Sequence, residues 1–99
     1  MLLVVGTVRL PAQNLAAARP AMRRMVEASR AEAGCLLYIY AEDLFEPGLI
    51  HVKEMWEDQI ARNRHFEAPH LGEWRAAWDA LGIGHRDLKL YEVGALRPI

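Results

Sequence analysis

The chain opens on a stretch, residues 2–10, in which only Gly6, Thr7 and Arg9 are not apolar. Val4, Val5, Thr7 and Val8 are β-branched, and apolar residues fall on both parities. The stretch therefore reads as a strand covered on both faces. Residues 11–14 read as a turn, with Asn14 the capping candidate for the helix that follows. Leu15, Ala18, Met22, Met25, Val26 and Ser29 then recur every three or four residues as one helical stripe. Arg19, Arg23, Arg24, Glu27, Arg30 and Glu32 mostly fill the other side. Pro20 in a helix interior would cost about 3 kcal/mol. The regular helix accordingly starts at Arg19, with Pro20 in its first turn, or it kinks there. Gly34 ends it.

Residues 35–44 form a second strand. Strict alternation puts Leu36, Tyr38 and Tyr40 on one face and Cys35, Leu37, Ile39 and Ala41 on the other, both apolar. Phe45-Glu46-Pro47-Gly48 has turn composition. Residues 49–57 return antiparallel as a third strand, with Ile50, Val52, Glu54 and Trp56 on one face and His51, Lys53 and Met55 on the other. Asp58 caps a short helix over 58–67, which Ala68-Pro69 breaks. A further helix opens at His70, carries Leu71, Trp74, Trp78 and Leu81 as an apolar stripe, and ends at Gly82 and Gly84. A fourth strand is predicted over 87–96.

Strand-helix-strand, taken twice around a tight hairpin, predicts an α+β, ferredoxin-like fold: a four-stranded antiparallel sheet with helices on one face. Helices cover one face only, so the two-sided apolarity of the first two strands calls for a second cover. A twofold homodimer packing sheet face on sheet face supplies it.

Residues 1–99 are read as one domain, and a chain this short buries only roughly two-thirds of its unfolded surface. The composition, 53% hydrophobic and 25% charged, excludes a disordered chain. A net charge of −1 without a basic stripe argues against nucleic acid and anionic membrane as partners. The apolar opening is too short to span a membrane and lacks the form of a signal peptide. Cys35 is the sole cysteine, which forbids an internal disulfide and suits a cytoplasmic location. It reads as a small buried hydrophobe.

Candidate chemistry concentrates in residues 49–78, which hold Trp56, Trp74 and Trp78 together with His51, His65 and His70. Trp56 is either a wall against which a planar ligand stacks or plain core. Glu54, between Val52 and Trp56 on an inward face, must carry a proton or find a positive partner. It is either a general base or the structural partner of Arg62, Arg64 or Arg75. Trp74 and Trp78 are core or pocket lining, and Tyr38 or Tyr40 can turn a hydroxyl into the same cavity. His70 can reach that cavity, or it caps its helix. His51, on the opposite face, belongs near the subunit interface. A proline break separates His65 from His70 and no nearby residue completes a zinc set, so no metal site is predicted.

Gly34-Cys35, Glu54-x-Trp56, His65 nine residues beyond that tryptophan, and Pro69-His70 together resemble the antibiotic biosynthesis monooxygenase family, over nearly the whole chain. The resemblance implies a dimeric α/β barrel and oxygen chemistry without metal or flavin, in which an electron-rich aromatic substrate itself activates O2. It makes His65 a helical base that deprotonates the substrate; the plain alternative is a helix-end histidine bonded to backbone carbonyls. Anthrone-oxidising members carry asparagine where Val52 stands, and haem-degrading members carry one on the first strand, which has none here. The reading that results is a cofactor-independent monooxygenase for a quinol-like or polycyclic phenol. His65 and Glu54 would be catalytic, with Trp56, Val52, Tyr38, Phe66, His70 and Trp74 around a small aromatic substrate. The alternatives are a non-catalytic barrel binding a small apolar ligand, and a proton-transfer enzyme such as an isomerase or cyclase.

Overall fold

The computed structural model describes residues 1–99. Its elements are β1 (Leu2–Arg9), a 3-10 turn (Ala12–Asn14), α1 (Leu15–Arg30), β2 (Cys35–Glu42), β3 (Leu49–Trp56), α2 (Gln59–Glu67), α3 (Pro69–Leu81) and β4 (Arg86–Glu92). The sheet order is β2-β3-β1-β4 and every pairing is antiparallel. This is the α+β, ferredoxin-like arrangement expected of the alternating pattern. No helix is long and apolar enough to cross a membrane.

Period-two patterning fixes which sheet face is covered. Leu2, Val4 and Val8 of β1 and Ile50, Val52, Glu54 and Trp56 of β3 are all buried. Trp56 pairs with Leu2, and Ile50 with Val8, so the same parity points inward on both strands. Against that face lies the stripe of α1, whose buried residues are Leu15, Ala18, Met22, Met25, Val26 and Ser29. Burying each of the large ones stabilises the fold by roughly 1.5–3 kcal/mol. Between β1 and β4 the chains run close: a Cβ on Gly6 would stand 1.8 Å from the Asp87 carbonyl oxygen.

Four local expectations are corrected. α1 begins at Leu15, not Arg19, and runs through Pro20. Pro20 and Ala16, whose carbonyl loses its donor, are both exposed, so water can replace the missing bond. Asn14 occupies the cap position but makes no side-chain cap; its Nδ2 donates instead to the Leu81 carbonyl at 2.9 Å, tying the start of α1 to the end of α3. In β2 the register shifts between Cys35, opposite Trp56, and Leu37, opposite Met55. That bulge turns Cys35 to the inner face beside Tyr38 and Tyr40 and leaves Leu36 exposed. β4 stops at Glu92, with residues 93–99 outside any strand.

Turn chemistry accounts for the hairpin between β2 and β3. The Asp43 carboxylate accepts from the backbone N–H groups of Phe45 and Glu46, at 3.0 and 2.9 Å, and pairs with His51 at 2.8 Å. The His51 bond, then these two, hold its carboxyl down to about 2. On the outer face of the sheet, Leu3, Leu37, Ile39 and Met55 remain half-exposed and Val5 exposed.

Candidate active site

The β3 strand sets the floor of the site. Glu54 and Trp56 are two residues apart and therefore on one face, and the Trp56 Nε1–H donates to Glu54 Oε1 at 2.9 Å. Trp56 is fully buried and Glu54 is 3% exposed. Arg62 is the cation that Glu54 faces, with Nε 3.8 Å from Oε1. Of the three arginines that could have paired with Glu54, the first on α2 does so.

Helix α2 closes over this floor because Asp58 caps it: its carboxylate accepts from Ala61 N at 2.8 Å. Arg62, His65 and Phe66 then share a helical face by their i, i+3, i+4 spacing. His65 is 2% exposed, and its ring centroid stands 4.6 Å from that of Trp56. Neither ring nitrogen goes to a backbone carbonyl, which corrects the helix-end alternative. Nδ1 meets Glu32 Oε2 at 2.5 Å, and Nε2 lies 3.4 Å from the Tyr38 hydroxyl.

Glu32 sits just past the end of α1 and was not singled out from the sequence. A carboxylate only accepts, so the Nδ1 it meets carries the proton and Nε2 keeps its lone pair. Burial pushes the His65 imidazole below its ordinary value near 6.5, although hydrogen bonding and charge from Glu32 push the other way. The site therefore presents a neutral imidazole with a bare Nε2. Burial likewise raises the Tyr38 phenol, and raises that of Tyr40 to about 12. Both stay protonated and can donate.

His70 does not cap α3. Ala68 holds the cap position without a side-chain bond, and His70 Nε2 reaches the same Glu32 oxygen at 3.2 Å. Glu32, His65 and His70 thus bring three donor atoms within 4.8 Å of one another, the third ligand that local sequence did not offer. Two donors on one tetrahedral zinc stand roughly 3.3 Å apart. The 2.5 Å between His65 and Glu32 is instead the distance of a hydrogen bond from Nδ1–H to the carboxylate.

A cavity of about 300 Å³ opens between sheet and helices. Tyr38, Tyr40, Glu54, His65, Phe66 and Trp74 line it, together with Leu71, Trp78, Leu88 and three arginines, Arg62, Arg75 and Arg86. Three residues assigned to the site from sequence lie elsewhere. Val52 and Trp56 are buried core residues outside the cavity lining, and His70 meets the same Glu32 oxygen as His65 without lining the cavity. Glu32, Tyr40, Arg62 and Arg86 complete the arrangement. The α2 spacing that places His65 also places Arg62, so Arg62 was readable; Glu32 and Arg86 arrive from distant segments.

The family model for antibiotic biosynthesis monooxygenase matches residues 1–77. A Deinococcus radiodurans structure described as a proposed antibiotic biosynthesis monooxygenase is 30% identical, with a TM-score of 0.91 over 100% of this chain and 98% of that one. A Pseudomonas aeruginosa structure is 28% identical, with a TM-score of 0.85 over 95% and 94%. An uncharacterised Synechocystis protein is 27% identical over 74 residues, 75% of this chain; the chain spans about half, 50%, of that curated relative's length.

Proposed function

The chain belongs to the antibiotic biosynthesis monooxygenase family, and on that premise we propose that it oxidises a quinol-like aromatic phenol with O2, without a resident cofactor. The observation that carries this reading is the neutral His65 in the wall of an aromatic-lined cavity, with its Nδ1–H held by Glu32 and only the Tyr38 hydroxyl, 3.4 Å away, on its Nε2. A substrate hydroxyl that displaces Tyr38 from Nε2 gives up its proton there, and Glu32 stabilises the imidazolium that forms. The resulting anion passes one electron to O2. Recombination of the radical pair forms a C–O bond at a ring carbon bearing hydrogen, and the peroxide formed takes the proton back from His65 to give a hydroperoxide. Loss of water from that C(H)–O–OH group leaves one oxygen atom as a carbonyl and sends the other out as water. Phe66, Leu71, Trp74 and Leu88 keep solvent from the pair.

The cavity lies at the lower end of the ligand-site range, so a one- or two-ring substrate suits it better than a polycyclic one. Glu54, engaged by Trp56 and Arg62, serves in this scheme to hold the floor and not as the base. A homodimer through the outer sheet face completes the proposal: Leu3, Met55 and Leu37 form an apolar row across three strands there, with Val5 and Ile39 on either side of Lys53. The single free thiol of Cys35 suits the cytoplasm.

Turnover of 1,4-dihydroxynaphthalene under 18O2 tests the reaction: one labelled oxygen in the product and one in water is the expected result. Deuterium exchange into the ligand without oxygen uptake would make it a proton-transfer enzyme instead. Binding with neither outcome would leave a ligand-binding barrel.

A further inference from the structure

The cavity carries more positive charge than its one carboxylate balances. Arg62, Arg75 and Arg86 line it, and Glu54 is the sole acid among its walls. The least satisfied of these is Arg62. Its side chain is 10% exposed and its guanidinium lies 4.0 Å over the Phe66 ring. Glu54 Oε1, 3.8 Å from its Nε, is beyond hydrogen-bond reach and already accepts from Trp56. Arg62 Nε and Nη1 have no acceptor at all. A guanidinium taken out of water without acceptors is strongly unfavourable, so a group that supplies them gains affinity there. Arg86, from β4, also lines the cavity and lies 3.9 Å over the Trp78 ring, and the buried Trp78 Nε1–H likewise lacks an acceptor. Arg75 spends one N–H on the Phe66 carbonyl and retains its charge.

We propose that this cavity takes an aromatic acid: a one- or two-ring system bearing an ionised carboxylate. The ring lies against Tyr40, Trp74 and Trp78, and the carboxylate receives N–H groups from Arg62 and Arg86. A neutral ring of the same shape leaves the Arg62 donors unmade. This deepens the reading of the cavity as a substrate site and rests on it. The acidic group then sits with Arg62 and Arg86, and the oxidisable hydroxyl reaches His65, one helical turn from Arg62.

The test is binding of 2-naphthoate against its methyl ester, followed by quenching of tryptophan fluorescence at low salt. The acid binds at least about tenfold more tightly than the ester, as expected for charge-assisted hydrogen bonds. Arg62→Gln and Arg86→Gln each weaken the acid severalfold and leave the ester unchanged. Arg86 is exposed, so its variant reports even if Arg62→Gln fails to fold. Equal affinity for acid and ester, or an acid affinity indifferent to Arg86→Gln, overturns the proposal. Neither probe has an oxidisable hydroxyl, so the result is independent of oxygen chemistry. A preference for the acid without turnover of any quinol defeats the proposed reaction alone, and turnover of neutral quinols without that preference defeats this inference alone.

Discussion

Glu32 Oε2 and His65 Nδ1 lie 2.5 Å apart, joining the segment just past α1 to the last turn of α2 across 33 residues of chain. This bond sets which nitrogen of His65 is bare, and with it which way the imidazole can take a proton. Glu32→Gln keeps a hydrogen-bond acceptor and removes the charge. Turnover should fall roughly 10- to 100-fold, the scale of a general base that has lost its support. KM should change little, because Glu32 does not line the cavity. A steady-state comparison at constant pH checks this.

Protonation of His65 sets the acid limb of activity. Its folded value lies below 6.5, with burial the leading cause, so the base stays neutral at pH values where an exposed histidine is half charged. The kcat/KM profile should therefore hold down to below pH 6.5 and fall only beneath it. Glu32→Gln removes an influence that raises the histidine and should move that limb lower still.

The same shift affects stability, and the sign follows from proton counting. An unfolded chain takes up a proton at His65 as pH falls through 6.5, while the folded chain resists it. The contribution of His65 is thus fully present above pH 6.5 and is lost as pH falls toward the lower folded value. Urea unfolding at neutral and mildly acidic pH should show a loss in the native protein that is smaller in His65→Phe.

Trp56→Phe separates packing from hydrogen bonding beneath the site. Phenylalanine refills most of the space but cannot donate to Glu54. Loss of a hydrogen bond to a buried charged group predicts a destabilisation of about 1.5–3 kcal/mol, measured by chemical denaturation. Trp74→Phe, which breaks no such bond, should cost less.

The outer sheet face should bury itself against a second copy. Sedimentation of the native protein is expected to give a dimer, and paired Val5→Lys and Ile39→Glu substitutions on that face a monomer. A native monomer would remove the sheet-to-sheet proposal.

The fold was legible because its signals are periodic. The stripe from Leu15 to Ser29 is the buried face of α1, and the β3 alternation puts Ile50, Val52, Glu54 and Trp56 inward. The bulge at Leu36 was not legible: alternation is a rule about an unbroken ladder, and the extra residue silently exchanges the faces of Cys35 and Leu36. The site was half legible for a related reason. His65, Phe66 and Trp74 stand on helices whose faces can be read. Glu32, on the polar side of a helical pattern, looks like any solvated acid, and its meeting with His65 and His70 exists only after the helices pack. Two histidines lacking a local partner were the one hint of a distant acid. Val52 and Trp56, assigned to the cavity because they share the face of Glu54, fall outside its lining: the parity of a strand tells which side a residue faces, not how far the cavity extends along it.

Oxygen consumption on 1,4-dihydroxynaphthalene, above its spontaneous oxidation and compared between the native protein and His65→Ala, tests the central claim most directly. The account predicts saturable uptake by the native protein and a loss of at least about a hundredfold in a folded His65→Ala, the contribution of a positioned general base. Saturable uptake that survives His65→Ala unchanged, or the absence of any protein-dependent uptake, would contradict it.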